Sequence, residues 1–338
     1  MHCKNLAAVA ATTLALMFQP ATVFAQSKQV VRTQEYPSNL LHLVDWVMRS
    51  KGFCEKQSLD CQPVTLASGP LAQQAAAAGS VDLIVSSADV MMQAVSKGND
   101  LMILGTDITN NIYSLSVGAD LAKTVAGQSY PENMKVLVEK RIGVTARGSS
   151  TEMVTRALLA GAGLPTDKVV FVAVGAPATA YAALAAKQVD AILSWDPVPA
   201  LCDATKVCQT LVDLSKGQGP AEMRAMNGGF VVWQARREYV QKNGPVIDRF
   251  LRAHADAVKW LKDPANLVEA KEIASKNYKL GDIPNREQVF DQLVRSMISQ
   301  YGTTFERKAV DGFNAFLMAN KLIDKPLSVA TIVYQNAP

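Results

Sequence analysis

Gln73-Gln-Ala-Ala-Ala-Ala-Gly-Ser-Val-Asp-Leu-Ile-Val-Ser-Ser-Ala-Asp89 and Tyr181-Ala-Ala-Leu-Ala-Ala-Lys-Gln-Val-Asp-Ala-Ile-Leu-Ser-Trp-Asp-Pro197 are built alike. Each is an alanine-rich helical stretch, a turn, then Val-Asp running into a β-rich segment, as alanine's helix propensity and the strand preference of Val and Ile dictate. Around the first copy, residues 29–33, 63–67, 81–85 and 101–104 read as strands, and 39–48, 70–78 and 88–95 as helices. Around the second, 141–145, 169–174 and 189–193 read as strands, and 150–162 and 176–186 as helices. Strict alternation of this kind predicts a mostly parallel sheet with helices on both faces. Occurring twice, it predicts an α/β protein of two doubly wound lobes. The unbroken apolar run at 169–174 predicts a strand buried on both faces.

From Arg236 onward the pattern turns helical, over 246–261, 267–277, 286–299 and 305–320, with Gly244, Pro264, Gly281, Pro284 and Gly302 as punctuation. A helical tail of that length can wrap back onto the first lobe. The expected organisation is then residues 1–25 as a leader, 26–113 with 229–338 as a discontinuous lobe I, and 114–228 as an inserted lobe II. The chain would cross between lobes at 111–117 and 228–233. Two crossing strands make a hinge, in which a few residues absorb rotation while each lobe stays rigid.

The leader assignment rests on Lys4, the short apolar run of residues 6–18, Pro20, and the small residues Val23 and Ala25 around Phe24. This is the pattern of a cleavable secretory signal, and the run is too short to span a bilayer. Cys3 precedes the apolar region, so it is not a lipidation site. A soluble product in the periplasm is expected. The net charge is +4, and charges of both signs are scattered, which gives nucleic-acid binding no support. Cys54 and Cys61, and Cys202 and Cys208, form two close pairs. An even count in an exported chain favours disulfides. Four free thiols remain the alternative, while zinc is disfavoured because neither pair is CxxC and histidine is scarce. His42 and His254 sit inside helical stretches, and no GxSxG, HExxH or phosphate loop occurs. No cofactor and no enzymatic chemistry are expected.

The paired helix–turn–Val-Asp–strand segments, with the strand-turn-helix Lys140-Arg-Ile-Gly-Val-Thr-Ala-Arg-Gly-Ser-Ser-Thr151, resemble periplasmic binding proteins of the nitrate/sulfonate/taurine type, whose relatives include binders of a thiamine-pyrimidine precursor. The resemblance covers nearly the whole chain after the leader. It implies the two-lobed type II periplasmic-binding-protein fold. It also implies a monomer that captures a small anion, a sulfonate or carboxylate, and delivers it to the membrane permease and cytoplasmic ATPase of an ABC importer. Yeast-type pyrimidine synthases on this fold carry a cysteine-rich motif that is absent here. An exported enzyme or a sensor module on the same fold is the alternative.

Ligands of open α/β sheets bind at the carboxyl ends of strands. After the first strand this nominates Tyr36 as a cover for a ligand face, with Ser38 and Asn39 as helix cap, ligand contact, or both. Ser68 and Ser87 follow the next two strands, and Asn111 precedes the first crossing. Gly148, Ser149, Ser150 and Thr151 open a helix directly after a strand, where free N–H groups and small hydroxyls suit an oxyanion. A plain N-cap is the alternative there. Gly175 would allow close approach, Trp195 would wall the cleft, and Asp196 would cap the following helix or accept from a ligand donor. Arg147 is a possible charge partner that more often points to solvent.

Overall fold

The computed structural model describes residues 28–338. The leader, Cys3 and the cut after Ala25 lie outside the described residues.

Along the chain come β1 (Gln29–Glu35), α1 (Leu43–Ser50), β2 (Leu59–Thr65), α2 (Gly69–Ala77), β3 (Ile84–Ser87), α3 (Ala88–Ser96) and β4 (Leu101–Ile108). A first passage leads to β5 (Ser114–Gly118), β6 (Arg141–Val144), α4 (Ser150–Gly161), β7 (Val170–Ala173), α5 (Pro177–Ala185), β8 (Ala191–Ser194), α6 (Val198–Thr205) and β9 (Cys208–Asp213). A second passage returns to β10 (Val231–Arg236), followed by α7 (Arg237–Lys262), α8 (Leu267–Asn277), α9 (Arg286–Gln300) and α10 (Ala309–Ala319).

The strands form two sheets of one design. β1 pairs in parallel with β2, a parallel bridge from Thr33 to Leu83 joins β1 to β3, and β10 lies antiparallel between β3 and β4. The second sheet has the order β7-β6-β8-β5-β9, with β5 antiparallel to both its neighbours. The strand that enters from the other lobe is the antiparallel one in each case. This is the two-lobed α/β arrangement that the repeated pattern predicts, and it agrees with the fold that the resemblance implies.

The repeated Val-Asp has a physical cause. Asp82 accepts the backbone N–H of Arg32 at 2.9 Å and its Nε and Nη2 at 3.0 and 2.7 Å, while Arg32 Nη2 also donates to the Gly79 carbonyl at 2.9 Å. Asp190 accepts the backbone N–H of Arg141 at 2.9 Å and its Nε and Nη2 at 3.1 and 3.0 Å, and Arg141 Nη2 donates to the Lys187 carbonyl at 2.9 Å. Each aspartate thus binds one strand of its sheet to the start of another through a forked, charge-assisted contact. The arginine closes over the turn that ends the alanine-rich helix.

Three expectations are corrected. The run at 169–174 forms β7, but β7 is the outermost strand of its sheet, and Val170 is 59 % exposed. Its apolar sequence reflects one-sided packing, not a central position. The strand expected at 63–67 begins at Leu59 instead. Parallel pairing with β1 and the Cys54–Cys61 bridge hold this poorly β-forming segment extended. The helix expected at 246–261 begins at Arg237 instead, as two helical segments that meet at a kink at Asn243, just before Pro245. A proline at such a point removes one helical hydrogen bond and bends the axis without ending it. The segments β9 and α6 have too little periodicity to be read in advance.

The C-terminal helices close over lobe I's sheet. Trp233 of β10 meets Phe250 of α7 edge-to-face, with centroids 4.8 Å apart, both fully buried. The two passages between sheets are tied to each other. The Thr109 carbonyl accepts the N–H groups of Gly228, Gly229 and Phe230 at 2.8, 3.0 and 3.3 Å, and Asn111 N–H donates to Asn227 Oδ1 at 2.9 Å. Gly228 sits at φ +102°, where an added Cβ would lie 2.7 Å from the Glu306 side chain.

Both cysteine pairs are bridged, with Cα atoms 6.1 Å apart for Cys54–Cys61 and 4.7 Å for Cys202–Cys208. Thiol titration of denatured, unreduced protein comprising residues 26–338 is expected to find no free thiols, and each bridge to contribute about 2–3 kcal/mol to urea stability. Free thiols in the folded, air-exposed protein would refute the pairing. Gly228→Ala is expected to lower stability by about 1–3 kcal/mol, from its backbone angle and the Glu306 contact, as read by chemical unfolding.

Candidate functional site

The carboxyl ends of the strands of both sheets meet at one crevice, walled by Tyr36, Ser87, Tyr113, Ser150, Thr151 and Trp195. The cavity enclosed there is about 30 Å³, room for a water or two, because aromatic rings fill most of the gap. Tyr36 lies edge-on to Trp195 at 6.3 Å, Trp195 lies 5.9 Å from Tyr113, and Tyr113 lies 5.3 Å from Phe230. Ile112 and Trp195 also line a second crevice of about 350 Å³, which reaches Asp196, Lys216 and Ser296. Trp195 is therefore shared by a small cavity and one of ligand size.

The wall of lobe I is positioned by histidine. Tyr36 N–H donates to His42 Nε2 at 2.7 Å, so the ring proton sits on Nδ1 and is shared with Asp45 at 2.9 Å. His42 is fully buried; it fixes the turn that carries Tyr36. Asn39 caps the following turn through Leu41 N–H at 3.0 Å, and its Oδ1 also accepts the Trp195 indole N–H at 3.4 Å. That bond joins the two lobes.

The wall of lobe II is the start of α4. Gly148, at φ +74°, turns the chain so that Ser149 becomes the N-cap position. The Thr151 hydroxyl accepts Thr145 N–H at 2.8 Å and lies 2.8 Å from the Ser149 hydroxyl, and this knot fixes the loop. Glu152 closes the outer side. Its carboxylate accepts Gly148 N–H at 2.9 Å and binds Arg147 and Arg156, each at 2.8 Å. Burial pushes the Glu152 carboxyl up, but Arg147, the Gly148 N–H and Arg156 outweigh it and hold it below the usual range. The N–H groups of Ser150 and Thr151, both buried, find no acceptor among the described residues. Two sheltered, unpaired donors at a helix start favour an anion or a carbonyl oxygen.

Of the residues nominated from sequence, Tyr36, Ser87, Ser149, Ser150, Thr151 and Trp195 come together at this cavity. Ser38 lies exposed in a turn at φ +45°. Ser68 caps α2 through Leu71 N–H. Asn111 is part of the first passage, with its Oδ1 accepting Tyr113 N–H at 2.9 Å. Gly148 and Gly175 shape the turns before α4 and α5 from outside the cavity. Asp196 does not cap α6; it accepts the Ser296 hydroxyl at 2.9 Å, linking lobe II to α9. Arg147 is consumed by Glu152 and is 61 % exposed.

Sequence reasoning missed Tyr113, Thr145 and Asp89. Asp89 is the second residue of α3, directly after β3, so the rule that nominated Ser87 reaches it too. Its Oδ1 accepts Val90 N–H at 2.8 Å and its Oδ2 accepts the Ser150 hydroxyl of lobe II at 2.5 Å. Burial pushes the Asp89 carboxyl above the ordinary aspartate range, against Ser150, Ser87 and the Val90 N–H, which lower it. Burial and then the proximity of Asp89 raise the Tyr113 hydroxyl.

Among the described residues there is no metal-ligating cluster of three or more side chains, and no helix long and apolar enough to cross a membrane. Several solved structures share the fold. A Bordetella bronchiseptica RB50 protein superposes with a TM-score of 0.75 at 24 % identity, covering 92 % of this chain and 96 % of its own. The alkanesulfonate-binding protein of Xanthomonas axonopodis pv. citri, bound to MOPS, gives 0.69 at 20 % identity, covering 92 % and 99 %. The periplasmic nitrate-binding protein of Synechocystis PCC 6803 gives 0.60 at 14 % identity, covering 89 % and 92 %. A Brucella abortus (strain 2308) protein named only as a binding protein is 24 % identical over 278 residues, 80 % of this chain and 78 % of its own. The sequence pattern of the NMT1-like family matches residues 39–275, well over half of the chain, and the protein belongs to that family.

Proposed function

We propose that the protein is the substrate-binding component of an ABC-type importer. It works in the periplasm after removal of residues 1–25, as a monomer that hands its cargo to a membrane permease powered by a cytoplasmic ATPase. Residues 26–113 with 229–338 form lobe I and 114–228 form lobe II. The lobes swing about the passages joined at Thr109 and Asn227. The cargo is a small organic molecule with an acidic group, of the sulfonate or carboxylate class.

The observation that carries this reading is the unpaired Ser150 and Thr151 N–H pair at the start of α4, facing the crevice where both sheets end. An oxyanion there gains the two helix-start donors, held in place by the Ser149–Thr151–Thr145 hydroxyl knot. The aromatic wall of Tyr36, Tyr113 and Trp195 supplies an apolar surface for the rest of the ligand. Ligand pockets usually hold about 300–1,000 Å³, so entry requires the lobes to part and Trp195 to move. The likeness to sulfonate- and nitrate-binding proteins of the same fold supports capture without chemistry. A recovered ligand that is chemically unchanged separates this reading from an exported enzyme.

Protein comprising residues 26–338 is expected to bind one ligand saturably in a calorimetric and thermal-shift screen of small sulfonates, carboxylates and amino-heterocycles. At a concentration a hundred times its Kd that ligand adds about 2.7 kcal/mol of stability. Well-folded protein that binds nothing in the screen and carries nothing from the cell refutes the reading. Ligand binding is also expected to shift the fluorescence of Trp195, and Trp195→Phe to abolish that shift. An undiminished shift in the variant would place binding elsewhere.

A further inference from the structure

Six acidic side chains are buried among the described residues: Asp45, Asp82, Asp89, Asp107, Glu152 and Asp213. Five of them face a base. Asp45 has His42 at 2.9 Å, Asp82 has Arg32 at 2.7 Å, Asp107 has His254 at 3.0 Å, Glu152 has Arg147 and Arg156 at 2.8 Å, and Asp213 has Lys216 at 2.9 Å. Asp89 alone has none. It is 0 % exposed, and its partners are the Ser150 and Ser87 hydroxyls and the N–H of Val90 in its own helix. A buried carboxylate without a counter-charge is costly, and proteins retain one where something else completes it.

Its location says what does. Ser87 and Val90 on either side of it, and its partner Ser150 on the other lobe, all line the cleft cavity. The carboxylate therefore stands just behind the cavity wall at the junction of the two lobes, and parting the lobes frees the Oδ2 that now accepts the Ser150 hydroxyl. The two unpaired N–H groups of Ser150 and Thr151 lie on the same short segment that meets Asp89. A bare anion seated on those donors would lie beside a second negative charge, an arrangement that disfavours both. A ligand that brings an N–H of its own resolves the conflict, because one nitrogen donor can take the place of the Ser150 hydroxyl on Asp89 Oδ2.

We propose that Asp89 is the specificity-determining residue of the cleft, and that it requires the ligand to present a nitrogen hydrogen-bond donor: an ammonium, an amidine, or an amino group on a ring. Nitrate and unsubstituted sulfonates or carboxylates are excluded by the same carboxylate. This rests on the cleft being the ligand site of a binding protein. It narrows the ligand from any small acid to one carrying a nitrogen donor.

The experiment uses protein comprising residues 26–338, wild type and Asp89→Asn, with two sources of ligand. The first is whatever small molecule leaves the cell with the purified protein, identified by mass spectrometry. The second is a set of matched pairs differing in one nitrogen: ethanesulfonate with 2-aminoethanesulfonate, benzoate with aminobenzoate, and nitrate alone. The expected results are a retained ligand bearing an N–H donor, preference for the aminated member of any pair that binds, and a loss of about ten- to a hundred-fold in affinity in Asp89→Asn. Asparagine keeps Oδ1 as the acceptor for Val90 N–H and presents its NH2 as a donor to the Ser150 hydroxyl oxygen, and it removes an uncompensated buried charge, so ligand-free Asp89→Asn is expected to unfold at a temperature no lower than wild type. Asp89→Ala serves as the second variant should asparagine be tolerated as a ligand acceptor.

A retained ligand without any N–H donor, or equal affinity in wild type and both variants, overturns the role of Asp89 and leaves the binding-protein reading standing. Wild-type protein that retains nothing and binds no member of the set overturns both.

Discussion

The carbonyl of Thr109 accepts three consecutive N–H groups, from Gly228, Gly229 and Phe230, and the geometry of the molecule follows from that junction. It clamps the outgoing and returning passages of the chain at one point, so neither sheet can drift relative to the other's entry strand. Each sheet then receives its foreign strand, β5 or β10, antiparallel to the rest. All the other strands of both sheets must end their carboxyl termini toward the shared crevice. The cleft exists because the connection is short and pinned, and its walls come from loops that would otherwise face solvent.

Charge is distributed unevenly around this frame. The carboxylates that hold strands together are matched to a base, as in the forked Arg32–Asp82 and Arg141–Asp190 contacts. These contacts set the spacing of each alanine-rich helix over its sheet. In the crevice the matching stops. Among the described residues, two amides of α4 lack acceptors there, and Asp89 lacks a cation. Facing walls that leave complementary groups open, amide donors on one and a carboxylate on the other, are arranged for a guest.

Much of the architecture was legible in the residues. The twin Val-Asp segments reported two sheets because the same arginine fork is built into each. The alternation of apolar runs with alanine-rich stretches gave most strands and helices. What escaped was set by partners distant in sequence. β7 looked like a central strand because its residues are apolar, but it ends the sheet because its only partner, β6, pairs on its other side with β8, a strand about twenty residues further along. β9 and α6 carry little pattern of their own and are held by the Cys202–Cys208 bridge and by pairing with β5. At the site, strand ends picked out Tyr36, Ser87, Ser149 to Thr151 and Trp195. The same rule placed Ser38 and Gly175 where the local turn carries them outside the cavity. Asp89 was overlooked because an acid in the first turn of a helix reads as ordinary dipole compensation. Only the absence of a base around it, a fact of three dimensions, sets it apart.

The position of β10 has a further consequence for how the molecule assembles. All five strands of the second sheet lie between Ser114 and Asp213, so that half can complete its pairing as soon as this stretch has been synthesised. The first sheet cannot. β3 and β4 each keep a bare edge until Val231–Arg236 arrives to lie between them, although both were made more than a hundred residues earlier. The lobe that begins first in the chain therefore finishes last. Its open edges during that interval are where premature self-association of the nascent polypeptide would start.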